Sequence, residues 1–295
     1  MHKNRNFINH LTIALKGMAM GAADVVPGVS GGTIAFISGI YEELLDSINA
    51  VNFSLLKVIK KDGIKKAWQL VNGNFLVALI LGIGISVVSL AKSLSWLLEN
   101  NPIPLWAFFF GLVVASILLV AKQIPKWNIK IVLALLIGAI VAFLITQIPA
   151  SSVSEPSMFL LLLSGALAIS AMILPGISGA FILVILGTYK FILTAVHERD
   201  LKTILIVGIG AIIGLLSISR LLKYIFTHYK NLTLAVLTGF IIGALGKIWP
   251  WKDALENNIS PSNYTGNNQM ILAIFLAIAG FLLITILEKW GQKMK

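Results

Sequence analysis

Six nearly uninterrupted apolar stretches, at 74–98, 104–121, 129–148, 202–226, 232–248 and 270–287, set the strongest limit on how this chain can fold. Runs of about 20 apolar residues match the hydrocarbon thickness of a bilayer, where backbone polar groups have to bond within the protein. They predict membrane-spanning helices. The composition agrees, with 58% of the 295 residues hydrophobic, 12% charged and a mean hydropathy of +0.92. A soluble domain of this size could not cover its surface with so few charges. The expected class is an all-α, polytopic integral membrane protein.

The net charge of +11 does not point to nucleic acid, because the cations are scattered through loops beside the apolar runs. With no cysteine, the chain has no disulfide, thiolate metal site or Cys nucleophile. Its four histidines, His2, His10, His197 and His228, share no metal-ligand spacing, so neither a metal nor a cofactor is expected. The basic N-terminus carries Lys16 inside its apolar run and does not read as a cleavable signal.

The chain repeats itself. "VPGVSGGTIAFISGIY" at 26–41 returns as "LPGISGAFILVILGTY" at 174–189, an offset of 148. Over 25 aligned positions from Gly17 and Gly165, ten are identical: Gly17, Ala23, Pro27, Gly28, Ser30, Gly31, Ile34, Ile37, Gly39 and Tyr41 with their mates. Shared greasiness alone would not align the Pro, Gly and Ser positions. A weaker match follows at an offset of 128, pairing Ser89 with Ser217, Lys92 with Arg220 and Gly111 with Gly239. A longer basic loop in the first half accounts for the change of offset. The halves are 1–149 and 150–295, each with the motif segment followed by three spans.

Positive charge sets the expected orientation. If 12–48 enters the membrane and returns, the basic N-terminus and the loop bearing Lys57, Lys60, Lys61, Lys65 and Lys66 share the cytoplasmic side. A matching hairpin at 158–196 then enters from outside, and the C-terminus ends inside. This places 16 of the 23 Lys and Arg in the cytoplasm. Lys190, Arg199, Lys202, Lys247 and Lys252 fall outside. Three spans plus a re-entrant hairpin invert one half relative to the other, an arrangement recurrent among transporters. Eight full crossings with parallel halves would instead separate the N-terminus from the five-lysine loop.

The motif puts a proline and several glycines at membrane depth, where irregular backbone survives only against protein or a water-filled cavity. The spacing predicts that a helix restarts near Ser30 or Thr33, with free N–H groups that favour an anion. Gly28, Ser30, Gly31, Gly32 and Thr33, with Gly176, Ser178 and Gly179, are the candidate lining of a shared site. A sharp, closely packed hairpin turn would use the same residues. The pattern lacks the lysine of a P-loop. Lys92 and Arg220 lie within spans, where a cation usually faces a cavity or a partner, although each also sits near enough to a helix end to snorkel. Asp24 has no acidic mate, its equivalent being Met172. It reads as a coupling-ion site, for a proton or sodium, or as a helix-end residue bonding local amides. Glu42, Glu43 and Asp46 read as a solvated helix end, "HERD" at 197–200 as a polar loop, and the tryptophans, Trp249 and Trp251 among them, as interfacial anchors.

The stretch "GMAMGAADVVPGVSGGTIAFISGIYEELLDSI" resembles the bacterial undecaprenyl-phosphate translocases, and the resemblance extends over almost the whole chain. It implies a flippase of the bacterial plasma membrane, not an enzyme. Such a protein returns the phosphate headgroup of the lipid carrier from the outer to the cytoplasmic leaflet for cell-wall assembly. Backbone N–H groups of the motif and the charges of Lys92 and Arg220 suit such a headgroup, with the prenyl tail left among membrane lipids. Two alternatives stay open: an intramembrane polyprenyl-diphosphate phosphatase, using Ser30 or Ser178 as nucleophile, and an ion-coupled carrier of a small anion.

Overall fold

The computed structural model describes residues 6–25, 30–149, 151, 153–253 and 257–293. Helices α1 (Phe7–Val25), α2 (Gly31–Ile37) and α3 (Tyr41–Asn49) form the first motif segment. Two short helices follow, α4 (Phe53–Asp62) and α5 (Ile64–Leu70), then long α6 (Gly73–Asn100), α7 (Pro102–Ala121) and α8 (Ile129–Gln147). The second half repeats the order with α9 (Met158–Ile173), α10 (Gly179–Ile185), α11 (Tyr189–His197), α12 (Leu201–Ala244) and α13 (Met270–Lys293). The protein is a multi-pass membrane protein. Helices α6, α7, α8 and α12 are long and apolar enough to cross a bilayer, and large side chains such as Val88, Phe159 and Ile271 stand exposed on their helices.

The expected break between 226 and 232 is replaced by a bend. Hydrogen bonding runs from Leu201 to Ala244 and only Tyr229 leaves helical geometry, at φ −136° and ψ 43°. The segment "THYKN" contains no Pro or Gly to stop a helix, so a single residue carries the change of direction. At 1.5 Å per residue, the 48-residue apolar stretch Leu201–Ile248 would reach about 70 Å, long enough for two bilayer crossings.

Two compact units divide the structure: 1–87 with 148–230, and 88–147 with 231–295. Each draws on both halves of the sequence. In the first unit the repeat is reproduced contact by contact. Gly17 of α1 lies against the Leu79 carbonyl of α6, and Gly82 of α6 against the Ala14 carbonyl. Their mates do the same, Gly165 against Val207 and Gly210 against Leu162. A Cβ at any of these glycines would collide with backbone, so the close crossings need the missing side chain.

In the second unit the repeat mates exchange partners. Gly111 of α7 meets the Ala277 carbonyl of α13, and Gly280 meets the Phe108 carbonyl. Gly239 of α12 meets the Leu135 carbonyl of α8, and Gly138 meets that of Val236. Each crossing thus joins a helix of one half to a helix of the other. At the end of α12, Trp249 and Trp251 depart from the expected anchor role. Trp251 is buried with Ile103, Ala107 and Ala273, and the two indole N–H groups donate to the carbonyls of Asn268 and Ile259 respectively for Trp251 and Trp249. The loop after α12 folds back, closed by a bridge between Lys252 and Asn258, and gives the indoles both an apolar wall and acceptors.

Candidate functional site

Both motif segments are built alike: a long helix, a break, a seven-residue helix that packs back on the long one, then a turn into a nine-residue helix. The turns match atom for atom. Gly39 at φ 72° and Gly187 at φ 74° hold the left-handed conformation. Ile40 N donates to Ala35 O and Gly39 N to Phe36 O, as Thr188 N does to Leu183 O and Gly187 N to Val184 O. This is the Schellman arrangement, which satisfies the last carbonyls of a helix and favours glycine at that position.

At the first break, α2 starts on its own side chains. Ser30 has extended backbone, and its Oγ accepts the Gly32 N–H at 3.1 Å. The Gly31 N–H donates to Asp24 Oδ1 at 2.7 Å. Of the two readings of Asp24, bonding to a local amide is what the structure contains. The carboxylate sits where the first amides of a helix favour negative charge. Gly28 lies outside the described residues.

The two breaks meet. Where α9 stops after Ile173 its last carbonyls lose their helical partners, and the first motif supplies donors to them. Ser30 Oγ donates to Met172 O at 3.0 Å and the Tyr41 hydroxyl to Ile173 O at 3.1 Å. In the other direction, the Gly176 N–H donates to Thr33 Oγ1 at 2.9 Å. Gly32 lies close enough that a Cβ there would fall 2.5 Å from Ile173 O and 2.6 Å from Met172 O. Ser30, Thr33 and Tyr41 are each no more than 2% exposed. A net hydrogen bond contributes about 0.5–1.5 kcal/mol, but leaving such buried groups unpaired would cost more. Seven of the sequence-derived lining residues, Ser30, Gly31, Gly32, Thr33, Gly176, Ser178 and Gly179, therefore lie at or beside one junction.

The junction is lopsided. Ser178 occupies the N-cap of α10 and is 7% exposed, yet makes no side-chain capping bond. Phe181 stands where Thr33 stands in the first half, and Tyr189, the mate of Tyr41, is 39% exposed. The first motif contributes most of the side chains and the second most of the backbone.

Arg220 is exposed on α12, off the Ser219–Leu222–Phe226 face that is buried. Phe226 of that face meets Phe36 and Tyr41 edge-on or tilted. Lys92 belongs to α6, and its side chain is outside the described residues. Lys16 of α1 reaches the turn of the first motif segment, where its Nζ donates to Ser38 O at 2.7 Å, beyond the end of α2. Its mate Ser164 accepts a hydrogen bond from Thr188 at the corresponding turn. Lys16, a charge inside an apolar run, and Tyr41, identical in both copies of the repeat, thus join the residues of the motif segment that bond across its turn and its break. Glu42 pairs with Lys230 at 2.6 Å and Asp46 with Lys223 at 3.0 Å, both pairs about half exposed, so the acidic face of α3 is solvated and also paired.

Broken helices that satisfy one another's backbone amid apolar spans place the chain in a class, the multi-pass helical proteins of the membrane. The chain belongs to the undecaprenyl phosphate translocase-like family, whose model matches residues 20–265. It is 45% identical over 304 aligned positions to a polyprenyl-phosphate transporter of Vibrio cholerae serotype O1, covering 97% of this chain and 98% of that one. A polyprenyl-phosphate transporter of Staphylococcus aureus is 32% identical over 253 positions, covering 80% and 85%. No solved structure matches the chain.

Proposed function

We propose that this protein moves polyprenyl phosphate, in bacteria undecaprenyl phosphate, across the plasma membrane and returns its headgroup to the cytoplasmic leaflet. The observation that carries the reading is the end-to-end relationship to a polyprenyl-phosphate transporter, combined with two motif breaks that converge on one polar junction. The exchanged glycine crossings of the second unit support two halves related by a two-fold axis, since such a relation makes residue i meet j while the mate of j meets the mate of i. On this reading both motif segments are re-entrant hairpins and both termini are cytoplasmic.

The headgroup cradle is formed by Gly28, Ser30, Gly31, Gly32, Thr33, Gly176, Ser178 and Gly179, with Lys92 and Arg220 balancing the charge. The junction is self-occupied in the structure. Asp24 accepts from Gly31, Ser30 from Gly32 and Thr33 from Gly176. A phosphate oxygen would take over these donors, and Asp24 would have to leave the Gly31 amide. A proton or sodium ion neutralising Asp24 would favour that exchange, which makes Asp24 the coupling residue. A phosphatase would need a base beside its serine, whereas Ser30 Oγ is bonded to the Gly32 amide and the Met172 carbonyl.

Reconstitution into liposomes with a labelled polyprenyl phosphate tests the reading. Headgroups should change leaflet without release of inorganic phosphate, and Asp24→Asn should alter the dependence on pH or sodium. Phosphate release from a diphosphate lipid, or no change of leaflet, would refute it. Lys92→Ala with Arg220→Ala should impair flipping in a folded protein. Full transport by the double variant would remove both cations from the site.

A further inference from the structure

The segment between α3 and α6 has no counterpart in the second half, where only Glu198–Asp200 separate α11 from α12. It is not needed to build a repeat. It folds into α4 and α5, joined at Gly63 with φ 84°. Five lysines, Lys57, Lys60, Lys61, Lys65 and Lys66, stand against one acid, Asp62. On α4 the 100° advance per residue puts Leu55, Leu56, Val58 and Ile59 on one arc and Lys57, Lys60 and Lys61 on the other. The apolar arc is not sunk into a core: Leu56 is 59% exposed, and Ile64 and Trp68 of α5 are 76% and 46% exposed.

Both ends of the segment are fastened to the long apolar helices α12 and α6. At the start, Asn49 Nδ2 donates to Ser219 O at 2.9 Å, and Asn52 caps α4 by accepting from Ser54 N. At the far end, the Trp68 ring covers Gly73, the first residue of spanning α6, and its Nε1 donates to Asn74 Oδ1 at 2.8 Å. Asn72, at φ 54°, donates to Glu43 Oε1 at 2.7 Å. The half-exposed pairs Glu42–Lys230 and Asp46–Lys223 mark the water boundary on the neighbouring helices. Exposed apolar side chains, a tryptophan and a lysine arc held at that boundary have the composition of a helix lying in the interface.

We infer that α4 and α5 are an interfacial module that binds the anionic phospholipid headgroups of the adjoining leaflet. Leu56, Ile59, Ile64 and Trp68 enter the acyl boundary, while the lysines face the headgroup phosphates. The negative surface potential of such a leaflet attracts each nearby lysine, and salt screens the attraction within a Debye length. The inference is independent of what the protein transports.

The absence of cysteine makes the test direct. Leu56→Cys and Lys61→Cys, each labelled with an environment-sensitive fluorophore in the full chain, are compared in nanodiscs with and without phosphatidylglycerol. With phosphatidylglycerol present, iodide should quench the label at position 56 several-fold less than that at 61. The difference should shrink at high salt, and in a Lys57→Gln, Lys60→Gln, Lys65→Gln, Lys66→Gln background. Equal quenching at both positions overturns the proposal. So does identical protection in pure phosphatidylcholine, which would mean apolar contact without anion recognition. Protection that disappears with one copy per disc would assign the face to a second copy instead.

Discussion

Gly32→Ala tests the contact between the two breaks most sharply. The added methyl would sit 2.5 Å from Ile173 O and 2.6 Å from Met172 O, whereas ordinary contact begins at 3.4 Å. One break has to retreat by 0.9 Å, the difference between 3.4 and 2.5, and both obstacles are backbone. The same two carbonyls accept the Ser30 and Tyr41 hydroxyls at 3.0 and 3.1 Å. A retreat of that size would stretch both bonds past hydrogen-bonding distance. Losing them costs about 1–3 kcal/mol, the same range as overpacking a tight core, so a total of about 2–6 kcal/mol is expected. Thermal melting of the purified protein in detergent, followed by leaflet exchange in liposomes, provides the readout. Gly84→Ala is the control, because nothing lies within 4 Å of that Cβ position. It should melt with the parent, while Gly32→Ala should melt several degrees lower and transport poorly. Equal melting of both variants would refute the convergence of the breaks.

Other outcomes follow from the asymmetry and from the caps. Tyr41→Phe leaves Ile173 O without its donor in a buried site and should cost about 1–3 kcal/mol, whereas Tyr189→Phe should change melting little. Gly39→Ala and Gly187→Ala should each cost about 1–2 kcal/mol, and by the same amount, since both hold matching left-handed caps with φ near 72° and 74°. Asp200 starts α12 by accepting from the Thr203 hydroxyl and amide and the Lys202 amide, and these bonds hold its carboxyl below the ordinary carboxylate range. A lowered acid contributes fully above its unfolded value and loses its effect as pH falls through the folded one. Protection of the Lys202 and Thr203 amides, measured against the intrinsic exchange rate at the same pH, should thus persist at neutral pH, fall in strong acid, and be lost at every pH in Asp200→Ala. Glu42→Lys with Lys230→Glu should restore whatever either single change loses. That loss is expected to be below about 1 kcal/mol, because the pair is 55% and 61% exposed.

Much of this architecture is written locally. Apolar runs near 20 residues long specify spanning helices, because an unpaired peptide group in hydrocarbon costs several kcal/mol. The repeated Pro, Gly and Ser positions specify where helices stop and restart, and Ser30 and Ser178 both prove to be N-cap residues. The matched glycines at 39 and 187 specify the turns through their positive φ. "THYKN", which separates two apolar stretches but holds no Gly or Pro, forms a kink at Tyr229 within one continuous helix.

Sequence by itself thus determined the helices and their breaks, because these depend on steric and hydrogen-bonding preferences only a few residues long. Tertiary structure alone decided what each break touches. It set Asp24 on the Gly31 amide, Ser30 and Tyr41 on the carbonyls freed by α9, Lys16 beyond the end of α2, and Trp251 in a core rather than among lipids. Donors and acceptors at a helix break can be met by any partner that arrives within about 3 Å. Which one arrives is settled by the close glycine crossings that position whole helices, a consequence of packing that no local pattern encodes.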